Sequence, residues 1–371
     1  MRIITAKTKL RHYSIYISSE ITEYFPLLVK KNFKDSEKMV LVTNNKVFGI
    51  YEDRIRNAFK KCSLPYEIII IQDGEEYKNL KSVDYIFGKL VDFNVHRNDI
   101  IIAFGGGVIG DLAGFVASIY QRGVKLIHCP TTIVSQVDSS MGGKVAINYS
   151  GIKNIMGSFY QPYMIFIDPT FNYTLEERQI INGLSEIVKY GIVFKKKILD
   201  ELSENVKDKK EGRLSRLIKT EIFRNIIYSC CCIKAKVVEK DEFDLDYRNL
   251  LNFGHTIGHC IESAFKLKDV SHGEAVSIGM IIAIDISISL GLTKKEVKDE
   301  ILELYKKLKL PYRMPEINIE KVTGVLKYDK KFKTAQNKFV LLKGISKPVF
   351  FYNVDKKVIV DSIKKSMYNY I

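Results

Sequence analysis

Three of the chain's six histidines fall in one short window. His255 and His259 stand four apart in Asn252-Phe-Gly-His-Thr-Ile-Gly-His259, and His272 follows in Ser271-His-Gly-Glu274, at the head of a long apolar run. On a helix, residues four apart share a face about one turn apart. Imidazole is a common metal ligand and the usual acid–base group near neutral pH. A catalytic zinc needs about three protein ligands and an open position. The three histidines could supply two ligands and a proton shuttle, with a carboxylate from elsewhere as the third ligand. Two helical histidines and a helix cap are the plain structural alternative, since HxxxH without the zincin glutamate is a weak signal. In Gly183-Leu-Ser-Glu-Ile-Val-Lys-Tyr-Gly191, Glu186 and Lys189 lie one turn apart; they suit a surface ion pair, but the apolar neighbours suit a metal-ligating glutamate.

A second kind of chemistry is written earlier, in Gly105-Gly-Gly-Val-Ile-Gly-Asp111. It follows the apolar strand pattern Asp99–Phe104 and precedes a helical pattern over Leu112–Tyr120. Strand, glycine turn and helix cradle a phosphate, because missing side chains let backbone N–H groups approach and the helix dipole favours anions. Gln136-Val-Asp-Ser-Ser-Met-Gly-Gly-Lys144 reads as a polar ligand-serving loop, and Lys153-Asn154 follows another turn.

The elements that must position these groups change character along the chain. Strand-like runs at Tyr13–Ile17, Met39–Asn44, Tyr66–Gln72, Asp99–Phe104, Lys125–Cys129 and Tyr163–Asp168 alternate with helical spacing, as at Ser82–Phe93. After Asp168-Pro169 the period becomes helical, with helices expected over Leu175–Val193, Lys197–Glu204, Arg213–Lys240, Asn249–Phe265, Gly273–Leu290 and Lys294–Leu308. A late hairpin is expected from Lys338–Leu342 and Val349–Tyr352. The expectation is a Rossmann-like α/β nucleotide-binding domain over 1–172 and a mainly helical metal- and substrate-binding domain over 173–371, with an active site in the cleft between them.

Bulk properties narrow the classes. At 371 residues, 46% hydrophobic and 27% charged, the chain reads as an ordinary globular protein of two domains. The net charge of +15 is spread along the sequence without an arginine-rich tail, which argues for an anionic small molecule rather than nucleic acid. No signal peptide is expected, and Ala275–Leu292, which carries Asp285, reads as a core helix rather than a membrane span. The run Cys230-Cys-Cys232 cannot build a disulfide framework, so a reducing cytoplasm is expected.

Taken together the motifs resemble 3-dehydroquinate synthase. Gly105–Asp111, Pro130-Thr-Thr132, Gln136–Lys144, Lys153-Asn154, Ser185–Gly191, Leu250–His259 and His272-Gly-Glu274 occur in that family's order and spacing, over roughly residues 35 to 345. The resemblance implies an NAD-binding α/β domain, a helical metal domain, and conversion of 3-deoxy-D-arabino-heptulosonate 7-phosphate to 3-dehydroquinate and phosphate with NAD and zinc, or cobalt in its place. Residue by residue, it implies Glu186, His255 and His272 as metal ligands. Asp138, Lys144, Lys189, Lys234, Arg248, Asn252, His259 and Lys330 or Lys331 would line the substrate, with Asn154 at its phosphate. Of these, Lys144, Lys189, Arg248, Asn252 and His259 would take part in catalysis, His259 as proton shuttle. Arg122 would reach the phosphate of a neighbouring subunit's substrate, implying a homodimer. NAD contacts would come from Thr43, Asn44, Glu75, Lys78, Gly106, Gly107, Val108, Asp111, Thr131, Thr132, Lys144, Lys153, Phe171, Thr174 and Leu175. Departures from the family pattern are Met141, Val145-Ala146, Ile152, Asp244 and Asp246, and the loop after Lys331 lacks the usual glycine. A related cyclase acting on a substrate without a carboxylate, such as 2-deoxy-scyllo-inosose synthase, is the alternative; Lys234 and Arg248 suit the carboxylate.

Overall fold

The structure, a computed structural model of the chain, describes residues 1–19, 21–206, 211–265, 270–314, 322 and 337–367. The chain packs into two units, Met1–Leu175 with Lys234–Phe243, and Glu176–Ile233 with Asp244–Ile371.

The first unit is built on a seven-stranded sheet of β1 (Arg2–Lys7), β2 (His12–Ile17), β3 (Met39–Asn44), β4 (Tyr66–Ile71), β5 (Ile100–Gly105), β6 (Lys125–Pro130) and β9 (Met164–Ile167), in the spatial order β1-β2-β9-β6-β5-β3-β4. Only the β1–β2 pair is antiparallel; β2–β9, β9–β6, β6–β5, β5–β3 and β3–β4 are parallel. Strands β3, β5 and β6 are buried along their whole length, as parallel strands covered on both faces must be.

Alternate residues serve the two faces. Val40, Val42, Ile101 and Ala103 pack with α3 (Leu80–Asp92), α4 (Gly107–Ile119) and strand β7 (Lys144–Tyr149). Met39, Leu41, Ile100 and Ile102 pack with α1 (Ile21–Asn32) and α2 (Asn45–Lys60). From β3 the chain passes through α2 to β4, then returns through α3 to β5 on the other side of β3. Crossovers keep one hand, so reversing direction moves the connecting helix to the opposite face. The reversal leaves a crevice outside the carboxyl ends of β3 and β5, the place where open α/β sheets bind ligands.

Strand β7 and β8 (Ile152–Phe159) form a hairpin that the sequence pattern left unassigned. Its two-residue connection, Ser150-Gly151, has positive φ at both positions (49° and 76°), the geometry that matches strand twist. Gln136 is not a ligand-facing residue of a polar loop. It is fully buried in a π-helical turn, Ser135–Ser139, where its amide donates to the Asp168 carbonyl (3.0 Å) and accepts from Asn172 (2.8 Å).

The second unit contains α5 (Glu177–Val193), α6 (Lys197–Asn205), α7 (Arg213–Leu217), most of α8 (Glu221–Lys240), α9 (His255–Ala264), α10 (His272–Ser289), α11 (Lys295–Leu308), the hairpin β10 (Lys338–Leu342) with β11 (Pro348–Tyr352), and α12 (Lys356–Lys365). Helix α10 is apolar on every side and 78% buried, so although long and apolar enough to cross a bilayer it is the unit's core helix. It packs against α5, α9, α11, α12 and β10.

Two expected helices are broken. Arg213–Lys240 splits because the Thr220 hydroxyl accepts from the Phe223 N–H (3.1 Å) and starts α8 afresh. Asn249–Phe265 splits into a 3₁₀ segment, Tyr247–Asn252, and α9, at Gly254 with φ 79°. Residues 234–243 pack with the first unit, so 173–371 is not a single body. The Glu239 carboxylate accepts from the Lys7 N–H (2.8 Å), and Glu242 accepts from the Lys9 N–H (2.6 Å) and from the Gln161 amide (2.8 Å).

Candidate active site

In the second unit, three elements bring Glu186, His255 and His272 together, with one ligand atom of each within 4.8 Å of the others. Glu186 projects from α5 and is fully buried. His255 and His272 are the first residues of α9 and α10. The Nε2 atoms of both face the same oxygen, Glu186 Oε1, at 3.7 and 3.5 Å.

The local sequence explains the arrangement. Asn182 stands one turn before Glu186 on α5, and its side-chain oxygen accepts the Gly273 N–H at the head of α10. Ser271 and Glu274 close a capping box there, and Arg178 grips Glu274 with two nitrogens (3.0 and 2.8 Å). Helix α9 meets α10 through glycines: a methyl group at Gly279 would lie 2.1 Å from the Gly254 carbonyl oxygen and 2.9 Å from the Gly258 nitrogen. Only hydrogen at position 279 lets the start of α9 lie this close to the middle of α10.

Charges of both signs crowd the cluster. Lys189, one turn beyond Glu186 and buried, contacts Glu186 Oε2. Burial, and then the Lys189 ammonium, hold the His255 imidazole well below its ordinary pKa. For His272 burial pulls the same way, but hydrogen bonds to Glu186 and Glu262 prevail and raise it to about 9. His259, on the next turn of α9, is exposed; its ring centre lies 5.5 Å from that of His255 and 6.4 Å from that of His272. Arg248 is buried and Asn252 half-buried in the 3₁₀ segment.

The first unit gathers a second set at the carboxyl ends of β3, β5 and β6. Thr43 and Asn44 end β3, and the Asn44 side chain caps α2 through the Val47 N–H (2.8 Å). Gly106 and Gly107 start α4; methyl groups there would press on Thr132 (3.2 Å) and Ser139 (3.3 Å). The four-turn helix α4, with Val108 in its first turn, so presents bare backbone N–H groups, the anion cradle that the glycines imply. Thr131 and Thr132 follow β6, and the Thr132 hydroxyl pairs with Ser135 (2.8 Å).

Lys78, buried at 4% exposure, joins this region to the hairpin: its ammonium donates to Asp111 on α4 and to the Asn154 side-chain oxygen on β8. Burial raises the Asp111 carboxyl to about 6 against the lowering pull of Lys78. Glu75 accepts from the Asn148 amide (2.8 Å), tying the turn after β4 to β7. Asp138 pairs with Lys234 (2.5 Å). Lys144 is exposed at the start of β7, and Lys153 is half-buried on β8.

The Phe171 ring is buried against Tyr51 and Phe104 (centroids 4.8 and 5.2 Å), and its carbonyl accepts from the Tyr51 hydroxyl (3.0 Å). Thr174 is tethered to the Tyr51 hydroxyl (2.6 Å), with Leu175 next to it. Arg122 is exposed on a turn where it and Gln121 have φ of 61° and 49°, a left-handed pair costing about 1–3 kcal/mol per residue. Asp244, where the family pattern carries Glu, has φ 59°, a region that Asp tolerates better than Glu. Lys330 and Lys331 lie outside the described residues.

Two positions here carry no assignment from the sequence. Asn182 anchors α10, and Glu262 is a buried carboxylate whose Oε2 lies 3.4 Å from His272 Nδ1. Glu262 follows His255 by seven and His259 by three, so a count of helical face positions would have found it.

The fold is that of known sugar-phosphate cyclases. A structure of 2-deoxy-scyllo-inosose synthase complexed with carbaglucose-6-phosphate, NAD+ and Co2+ superposes with a TM-score of 0.84, covering 99% of this chain and 100% of that one at 24% identity. The 2-epi-5-epi-valiolone synthase of Streptomyces hygroscopicus subsp. jinggangensis 5008, with NAD+ and Zn2+ bound, superposes with a TM-score of 0.86 over 98% of each chain at 23% identity. Residues 68–182 match the family model for the 3-dehydroquinate synthase N-terminal region and 183–332 that for its C-terminal region. The 3-dehydroquinate synthase of Clostridium tetani is 40% identical over 355 residues, covering 96% of this chain and 92% of the relative. The chain belongs to the 3-dehydroquinate synthase family.

Proposed function

We propose that the chain converts 3-deoxy-D-arabino-heptulosonate 7-phosphate to 3-dehydroquinate and inorganic phosphate, as the lyase of the shikimate pathway, with NAD and a divalent zinc or cobalt ion as cofactors. One observation carries this reading: in a chain of this family, a carboxylate and two imidazoles converge with ligand atoms within 4.8 Å. That donor set, two imidazoles and a carboxylate, is one that a catalytic zinc-type ion takes. The glycine cradle at Gly106, Gly107 and Val108 beside the β3 end fits a dinucleotide.

When bound, the ion would supply polarisation of a substrate hydroxyl and NAD would supply reversible hydride transfer, with no net oxidation. Glu186, His255 and His272 would hold the ion. Thr43, Asn44, Glu75, Lys78, Asp111, Thr131, Thr132, Lys144, Lys153, Phe171, Thr174 and Leu175 would complete the NAD contacts. His259 is exposed beside the two ligand imidazoles and would move protons at the substrate. Lys144, Lys189, Lys234 and Arg248 would neutralise a substrate bearing a carboxylate and a phosphate, with Asp138 and Asn252 on its hydroxyls. Because a Lys78 ammonium can only donate, the Asn154 oxygen is the atom it meets, which leaves the Asn154 NH₂ to donate to a phosphate. Lys330 or Lys331 would add a cation. Arg122, exposed on its strained turn, would reach into a second copy's site, making the enzyme a homodimer; the cysteine run supports a reducing cytoplasm as its compartment.

The test is phosphate release from the heptulosonate phosphate by the full chain, with and without NAD and with the metal chelated. The expected result is phosphate without accumulating NADH, lost on chelation. Net NADH formation without phosphate would replace this reading with a polyol dehydrogenase.

A further inference from the structure

The His272 ring stands between two buried carboxylates. Its Nε2 lies 3.5 Å from Glu186 Oε1, and its Nδ1 lies 3.4 Å from Glu262 Oε2. His255 repeats the arrangement with a neutral acceptor: Nε2 faces Glu186 Oε1 at 3.7 Å, and Nδ1 lies 3.2 Å from the Phe253 carbonyl oxygen. All of these oxygens can only accept, so a ring that gives its Nε2 lone pair to a cation shared with Glu186 Oε1 keeps its proton on Nδ1, where Glu262 or the Phe253 carbonyl accepts it.

The same residues allow a competing arrangement. His259, Glu262 and His272 also bring ligand atoms within 4.8 Å of one another, and an ion there would take the Nδ1 side of His272. The surroundings disfavour any cation. His255 and His272 are the first residues of two helices, where the dipoles are positive, and the Lys189 ammonium is in contact with Glu186. A second carboxylate behind one imidazole offsets that field and strengthens the imidazole as a donor.

We propose that Glu262 is the positioning residue that holds His272 with its proton on Nδ1, so that Nε2 is the metal-binding atom. This rests on reading Glu186, His255 and His272 as the metal ligands.

The experiment measures zinc affinity of the metal-stripped full-length protein by competition with a chromophoric chelator. Glu262→Ala should raise the zinc Kd about 10–100-fold, and Glu262→Gln, whose amide oxygen can still accept from Nδ1, should recover most of that loss. His255→Ala should abolish tight binding. Glu262→Ala within about twofold of wild type, with His255→Ala still deficient, overturns the role of Glu262 and leaves the ligand set standing. Glu262→Gln no better than Glu262→Ala also overturns it. Wild-type protein that takes up no zinc, or a His255→Ala variant that binds normally, overturns the ligand set itself. Should Glu262→Ala fail to fold, wild-type protein with ¹⁵N-labelled histidine decides: zinc on Nε2 of His272 with Nδ1 protonated is expected, and zinc on Nδ1 refutes the proposal.

Discussion

At the scale of single residues, two side chains carry most of the testable content. His255 is buried, held neutral and aimed at Glu186, so His255→Ala should remove metal and activity together while the circular-dichroism spectrum stays that of the native fold. Full metal content and rate in that variant would refute the assignment. Lys78 is the second. It sits 4% exposed between Asp111 and Asn154, so one ammonium fixes a group on α4 and a group on the β8 hairpin strand. Lys78→Met leaves a carboxyl already raised to about 6 without its cation, and frees the Asn154 amide to rotate. Loss of two hydrogen bonds to a charged group predicts about 2–3 kcal/mol of lost stability and a rise in KM for both NAD and the sugar phosphate, of order 10-fold. Unchanged KM values would show that Lys78 serves the fold alone.

At the scale of elements, the decisive contact is between α9 and α10. The glycine crossing at Gly254, Gly258 and Gly279 sets how near the start of α9 lies to the middle of α10. Gly279→Ala would force the helices apart, because its methyl would meet backbone atoms rather than a side chain able to swing away. The cost expected of such overpacking is about 1–3 kcal/mol in urea unfolding, and zinc affinity should fall with it because His255 moves relative to His272. A variant that loses stability but binds zinc as wild type would show that the crossing does not set the ligand spacing. The broken helices teach a related point. Thr220 and Gly254 interrupt patterns that periodicity alone reads as continuous, and in the second case the interruption is what puts His255 at a helix start.

At the scale of the whole molecule, stability should depend on pH through a residue with no assigned role in the chemistry. His128 on β6 is buried, and burial lowers its pKa to about 4. Its unfolded value is near 6.5, so the unfolded chain binds the proton more readily. The neutral ring therefore contributes full stability above about pH 6.5, and that contribution drains away as pH falls through 4, by about 3 kcal/mol in total. His128→Asn should flatten the unfolding free energy between pH 6.5 and 4.5 relative to wild type. Parallel profiles for the two proteins would contradict the assignment.

Much at this scale could be read in one dimension. Apolar runs such as Met39–Asn44 and Asp99–Phe104, the glycine turn after the latter, and the spacing of His255, His259 and His272 are local patterns, legible because strand and helix periods are properties of neighbouring residues. The β7–β8 hairpin escaped because β8 is exposed or half-exposed throughout and its apolar residues, Ile152, Ile155, Met156 and Phe159, do not alternate, leaving Ser150-Gly151 as the single cue. What tertiary structure alone decided is which distant groups meet. Glu186 reaches histidines 69 and 86 residues along the chain, Glu262 backs one of them, and residues 234–243 return to the first unit through Glu239 and Glu242. Residue types and spacing fix what a segment can form and what chemistry it can hold. They are silent on partners far along the chain, because those are chosen by the packing of whole elements, where one missing methyl at Gly279 lets α9 start against the middle of α10.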